Sequence, residues 1–315
     1  MLWLAEPPLG HKLNKAKTHL WDDSMKDIDY TAPRTLAEAA ALLNDKGDRA
    51  RILAGGTDII VQLREHRRDL DLLVDVKNIA EVNELTFDPA RGLRIGAAVP
   101  CYRIYENKDI AKAYPGLIDA VSLVGGVQIQ SRASVGGNLC NASPAADTTP
   151  MLIALEATCH IAGPKGPRQL PVETFCTAPG RTALERGELL VSIDLPAPKP
   201  HSGAHYLRFI PRNEMDIAVV GAGASVVLDD KKQKCLAARI GVGAVAPTPL
   251  LVPDAGAALV DGALSDALID KAVQAARAAA KPISDMRGTA EYRKHLVGVL
   301  VKRAVQGAIH RAREK

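Results

Sequence analysis

The chain has 315 residues, 47% of them apolar, 24% charged and only 3% aromatic, with 40 basic against 36 acidic side chains for a formal net charge of +4. That length carries two domains or three small ones with aliphatic cores, while the scarcity of aromatic rings and a basic excess partly gathered at Arg303, Arg311, Arg313 and Lys315 argue against a nucleic-acid binder. The five cysteines (Cys101, Cys140, Cys159, Cys176, Cys235) form no C-x-x-C pair, which predicts reduced thiols in a cytoplasmic protein and no iron–sulfur cluster on this chain.

Residues 1–26 mix Pro, Lys, His and both tryptophans without periodicity and read as an N-terminal extension. Met1 to Ala5 is too brief for a secretory leader, and the longest apolar run, Ile217 to Leu228, is too short to span a bilayer. Thr35-Leu36-Ala37-Glu38 has capping-box spacing, and Leu36, Ala39, Ala40 and Leu43 mark a helical face up to Gly47. Arg51–Ala54 predicts a strand, Thr57–Leu63 a short helix and Leu70–Val76 a second strand, a small α/β unit with parallel strands. After Asn83 the pattern changes. Leu93, Ile95 and Ala97 alternate as a strand does, and helices are expected over Arg103–Ala113, Leu117–Val124 and Thr149–Leu155. Strands are expected over Thr158–Ala162 and Leu189–Leu195, and Pro196-Ala-Pro-Lys-Pro200 reads as a stiff linker. Beyond it, strands over Ala204–Ile210, Ile217–Leu228 and Leu236–Ala246 precede helices over Ser265–Ala280 and Thr289–Arg313. In the last helix Tyr292, Leu296, Val299, Leu300 and Ala304 form an apolar stripe. Three strands followed by helices predict an α+β domain with a three-stranded antiparallel sheet.

Two double-glycine segments stand out, Ala54-Gly55-Gly56-Thr57-Asp58 and Ser134-Val135-Gly136-Gly137-Asn138. Each follows a short apolar run and reads as a strand ending in a turn too tight for a Cβ. Such a turn gathers backbone N–H groups into a concavity that suits a phosphate. The second runs into Asn141-Ala-Ser-Pro-Ala-Ala-Asp147, small residues ending in a carboxylate before a helix. Gly221-Ala-Gly223 lacks the third glycine of a dinucleotide fingerprint, and His201 and His205 flank a glycine beside the Pro-rich linker, which argues against zinc. No nucleophilic triad or paired carboxylates stand out, so no catalytic or metal-binding residue is expected.

Taken in order, Leu53-Ala-Gly-Gly-Thr-Asp-Ile-Ile60, Ser134-Val-Gly-Gly-Asn138 and Ala142-Ser-Pro-Ala-Ala-Asp147 resemble the flavin-binding subunit of the xanthine dehydrogenase family of molybdenum hydroxylases. Gly187-Glu-Leu-Leu-Val-Ser-Ile193, Met215-Asp-Ile-Ala218 and Pro282 to Arg293 extend the resemblance over residues 27–312. It implies an α+β chain: a two-subdomain flavin-binding fold of the vanillyl-alcohol oxidase and p-cresol methylhydroxylase (PCMH) type over 27–200 (subdomains about 27–83 and 84–200), then a carbon monoxide dehydrogenase flavoprotein-like domain over 203–312. It further implies FAD whose diphosphate rests on the backbone of Leu53, Ala54, Gly55, Gly56, Thr57, Asp58, Ile59 and Ile60 and of Ser134, Val135, Gly136, Gly137 and Asn138. Val124 and Leu190 match positions flanking the flavin ring. Asp147 matches a cofactor-holding carboxylate, with a helix N-cap as the alternative. Arg208 stands where a lysine near the flavin is common, with a surface strand arginine as the alternative. Molybdopterin on a large subunit and two [2Fe–2S] clusters on a small one are the implied partners, in a dimer of heterotrimers. The implied role is electron transfer from those clusters through FAD to an external acceptor. A self-contained flavin oxidase and a non-redox scaffold subunit are the other readings.

Overall fold

The computed structural model describes residues 26–260 and 262–315, so the segment up to residue 25 lies outside the described residues. The first layer contains β1 (Asp29–Thr31), α1 (Leu36–Lys46), β2 (Ala50–Leu53), α2 (Ile59–Arg64) and β3 (Leu72–Asp75). Its strands pair in the order β1-β3-β2, all parallel. The Thr35 hydroxyl caps α1 by accepting from the Glu38 N–H at 3.2 Å. The Glu38 carboxylate accepts from Arg34 N–H at 2.9 Å, so one half of the expected capping box forms and the other moves by one residue. Ala39, Ala40 and Leu43 then pack on Ala50, Leu72 and Val74, as the helical period requires.

The second layer begins with the hairpin β4 (Leu85–Asp88) and β5 (Gly92–Gly96). The helices α3 (Cys101–Tyr105), α4 (Lys108–Ala113) and α5 (Pro115–Val121) follow. One helix was expected over the first two. Asn107 divides it, because its side chain accepts from the N–H groups of Asp109 and Ile110 at 3.1 Å and starts a new helix. Next come α6 (Val135–Cys140), α7 (Thr148–Ala154), β6 (Thr158–Ala162), β7 (Arg168–Pro171), β8 (Cys176–Ala178), β9 (Arg181–Thr182) and β10 (Leu189–Leu195). The five-stranded antiparallel sheet has the order β4-β5-β10-β6-β7, with β8 and β9 as a separate ribbon.

The reading of Ser134–Asn138 as a strand-terminating turn is corrected here. No strand precedes it, and Gly136 and Gly137 lie in the first turn of α6. Ser134 is the physical reason: its hydroxyl accepts the Gly137 N–H at 3.0 Å, which starts a helix.

The third layer contains β11 (Ser202–Phe209), β12 (Val220–Leu228), β13 (Cys235–Gly243) and β14 (Leu250–Leu251), antiparallel in that order. The three expected strands form its body, and the two-residue β14 adds a fourth. Helices α8 (Pro253–Val260), α9 (Asp266–Ala279) and α10 (Ala290–Glu314) cover it. The buried stripe of α10 is rotated from the expected one: Val297, Val301 and Val305 are fully buried, while Tyr292 is exposed and meets Phe209 edge-on at 6.1 Å. On its other side the sheet packs on α7, every residue of which is buried. Gly223 and Gly241 make room there for the Pro150 and Met151 backbone, which a Cβ at either position would crowd.

Candidate functional site

Strand β2 ends at Leu53, and the chain reaches α2 through Ala54-Gly55-Gly56-Thr57-Asp58. Gly56 has φ +82°, a left-handed conformation that favours glycine. A Cβ on Gly55 would overlap the carbonyl oxygen of Arg132, so this loop abuts the segment leading into Ser134 and α6. Gly136 is fixed in the same way, since its Cβ would overlap the backbone of Ala97. Gly137 differs: only Ser134 Oγ, at 3.0 Å, lies near its Cβ direction. Two of the glycines thus bring main chain against main chain, and the third borders open space.

Between these loops runs a cleft of about 1020 Å³, at the upper end of the ~300–1,000 Å³ typical of small-molecule sites. Among the described residues, the N–H groups of Gly55, Gly56, Thr57 and Asp58 donate to no acceptor within the protein, and neither does that of Gly136 in the first turn of α6. Unpaired N–H groups beside a cleft are what an anionic ligand requires. The apolar wall is supplied by Ala97, Val124, Cys140 and Leu190. Leu190 sits at an irregularity in the β10–β6 register, and Gln130 holds the Val124 segment by donating to the carbonyls of Ser122 (2.8 Å) and Val124 (3.2 Å).

Of the residues singled out from the sequence, Ala54, Gly55, Gly56, Thr57, Asp58, Ile59, Val124, Ser134, Gly136, Gly137, Asn138 and Leu190 line this one cleft. Five do not. Leu53 closes β2 behind the loop, Ile60 packs on the small core of Leu63, Leu70 and Leu73, and Val135 is fully buried in the central core. Asp147 and Arg208 face each other, with the guanidinium donating to the carboxylate at 2.6 Å. The Tyr206 hydroxyl donates to the other carboxylate oxygen at 3.1 Å, and Arg208 also donates to the Leu123 carbonyl at 3.0 Å.

Neither alternative weighed for this pair describes its geometry. Asp147 caps no N–H of α7, where Asn138 Oδ1 instead accepts from the Thr148 hydroxyl at 2.6 Å. The Arg208 side chain is 7% exposed and so is no surface arginine. Burial pushes the Asp147 carboxyl up to about 6, outweighing the opposite pull of Arg208 and Tyr206.

Sequence reasoning passed over three cleft residues that tie the loops together. Asn141 donates to Asp58 Oδ1 at 3.1 Å, and Gln62 donates to Asn141 Oδ1 at 3.0 Å. Arg68 in turn reaches Gln62. The spacing of Asp58 and Gln62, four apart at the start of a short helix, was the available signal. Asp58 is raised from the ordinary carboxylate range by burial. Among the described residues no group of three or more His, Cys, Asp or Glu side chains is placed to hold a metal ion, and no helix is long and apolar enough to cross a membrane.

Comparison with known proteins identifies the same two parts. Residues 25–198 match the FAD binding domain in molybdopterin dehydrogenase, and residues 205–308 match the CO dehydrogenase flavoprotein C-terminal domain. The chain is 35% identical over 286 residues to the carbon monoxide dehydrogenase medium chain of Afipia carboxidovorans, covering 91% of this chain and 98% of that one. It is 32% identical over 281 residues to the xanthine dehydrogenase FAD-binding subunit of Escherichia coli O157:H7, covering 89% and 95%. Among solved structures, reconstituted CO dehydrogenase from Oligotropha carboxidovorans superposes with a TM-score of 0.86 at 33% identity, covering 90% of this chain and 98% of that one. Quinoline 2-oxidoreductase from Pseudomonas putida 86 gives 0.84 at 28% identity, covering 92% and 99%. With an FAD-binding domain over its first two layers and a flavoprotein C-terminal domain over the third, this chain belongs to the FAD-binding medium subunits of the xanthine and carbon monoxide dehydrogenase family, and is an oxidoreductase subunit.

Proposed function

We propose that this chain holds FAD in the cleft between its two glycine loops and acts as the electron-transfer subunit of a molybdenum hydroxylase. In that role it takes electrons from [2Fe–2S] clusters on a small partner subunit and gives them to an external acceptor. Substrate oxidation belongs to a molybdopterin-bearing large subunit, and the assembly is a dimer of heterotrimers in the cytoplasm. The chain divides functionally into an FAD-binding part over 27–200 and a C-terminal part over 203–312. Relatives named as a medium chain and as an FAD-binding subunit support the multi-subunit reading.

The observation that carries the proposal is the apposition of the Gly55 loop on the Arg132–Ser134 segment, with unpaired N–H groups bordering a cleft of dinucleotide size. The N–H groups of Gly55 to Asp58 and of Gly136 would receive the diphosphate, and Val124, Leu190 and Ala97 would pack on the flavin ring. Bound FAD would supply a carrier that accepts electrons one at a time and releases them singly or as a pair. The protein's own work is positioning and exclusion of water: the Gln62–Asn141–Asp58 bonds lock the loops at fixed separation, and the apolar wall keeps the ring face dry.

The purified full chain, reconstituted with FAD, is expected to retain one flavin per chain with a visible absorbance spectrum. In isolation it is expected to remain oxidised when a hydroxylase substrate is added, and to be reduced once the two partner subunits are supplied. A colourless chain after reconstitution would remove the cofactor assignment. Reduction by substrate without partners would replace the relay with a self-contained oxidase.

A further inference from the structure

Arg68 lies just beyond α2 on the wall of the cleft, next to Gln62. Its Nε donates to Gln62 Oε1 at 2.5 Å, and its two terminal nitrogens meet no hydrogen-bond acceptor and no carboxylate among the described residues. Three further arginines, Arg51, Arg181 and Arg186, line the same cleft. Burial and the nearby Arg51 both hold Arg68 below its ordinary pKa, offset only in part by the exposed Asp48. Of these guanidinium groups Arg68 is partly desolvated and has no carboxylate partner among the described residues, whereas Arg51 has Asp48 at 3.5 Å. Arg68 is therefore the one placed to receive an anion entering the cleft. The arrangement is also fixed rather than loose. Gln62, which orients Arg68, is held by Asn141, and Asn141 is held by Asp58 in the first glycine loop. The cation is therefore indexed to the loop whose N–H groups are unpaired.

Resting on the proposed FAD site, we propose that Arg68, oriented by Gln62 and Asn141, binds a phosphate of the dinucleotide and so makes the cleft select pyrophosphate-bearing flavin over riboflavin. A guanidinium supplies charge and directed donors where the glycine loop supplies only N–H dipoles, so the two are additive on one phosphate pair. Gln62 is a positioning residue in this scheme, since it touches the guanidinium and not the ligand.

The test uses the full chain stripped of flavin and titrated with FAD, ADP and riboflavin. Arg68→Gln is expected to weaken FAD and ADP alike by roughly 10- to 100-fold, the loss of one charge-assisted hydrogen bond, and to leave riboflavin unchanged. Its FAD affinity should also depend less steeply on salt. Arg68→Lys should recover part of the loss, and Gln62→Leu should show a smaller loss of the same pattern. FAD affinity equal to wild type in Arg68→Gln overturns the inference, and so does an equal fall for all three ligands, which would mark a structural effect. If the wild-type chain binds neither FAD nor ADP, the FAD site itself fails, and this inference with it.

Discussion

At Asp147 three influences meet: burial, the Arg208 guanidinium at 2.6 Å and the Tyr206 hydroxyl at 3.1 Å. Burial is the largest and raises the carboxyl from 3.8 to about 6. Between those values the folded chain keeps a proton that the unfolded chain has released. The stability this group contributes is therefore full below about pH 4 and is lost as the pH rises through 6. Asp147→Asn carries no titratable proton, so its stability should be flatter over that range. The wild type should lose roughly 2 kcal/mol relative to the variant between pH 4 and pH 7, as read from urea unfolding at each pH. A difference that stays constant with pH would mean that Arg208 holds the carboxylate ionised throughout. The same strut keeps β11 registered on α7, which gives it a structural purpose apart from ligand binding.

Among the elements, the two glycine loops differ in what their glycines do, and the difference is measurable. Gly55→Ala places a methyl group against the Arg132 carbonyl and must part the loops, whereas Gly137→Ala meets only the Ser134 hydroxyl. Flavin content after reconstitution is expected to collapse in Gly55→Ala and to fall only slightly in Gly137→Ala, while Gly137→Val, whose branched side chain enters the cleft, should lose flavin as well. Equal retention in all three variants would detach the loops from cofactor binding. From sequence, the loops were legible because a doubled glycine after an apolar run has few purposes, and the strands Thr158–Ala162 and Leu189–Leu195 were legible because their apolar residues fill a continuous core. The helical identity of Ser134–Asn138 was missed because glycine is a poor helix former and a serine cap is read only with hindsight of the turn it starts. Strands β1, β4, β7 and the β8–β9 ribbon escaped notice because runs of two to four residues carry too little alternation to separate from loop. Arg68 and Asn141 were invisible for another reason. Their role depends on partners brought in by the fold, and no local pattern encodes that.

Across the whole molecule, the C-terminal layer is fastened to the FAD-binding layers at several carboxylates, Asp147, Glu173 and Asp119 among them, and Asp119 joins both β11 and α10. Asp119 on α5 accepts both terminal nitrogens of Arg311 on α10, at 2.5 and 3.0 Å, and also the Tyr206 N–H of β11 at 3.2 Å. Arg311 donates further to the Ala204 carbonyl at 2.7 Å. In a double-mutant cycle, Asp119→Ala and Arg311→Ala should couple by roughly 1–3 kcal/mol in denaturant unfolding, whereas strictly additive losses would show that this ion pair contributes nothing to joining the layers. Strand β10 has a different consequence. It lies between β5 and β6, and its residues Leu189 and Leu190 line the cleft. During synthesis, β5 and β6 emerge with the slot between them unfilled, each presenting a bare edge until the stretch ending at Leu195 clears the ribosome. The cleft wall is therefore complete only once β10 has inserted, and a chain stalled before that point offers chaperones and aggregates the same sticky gap.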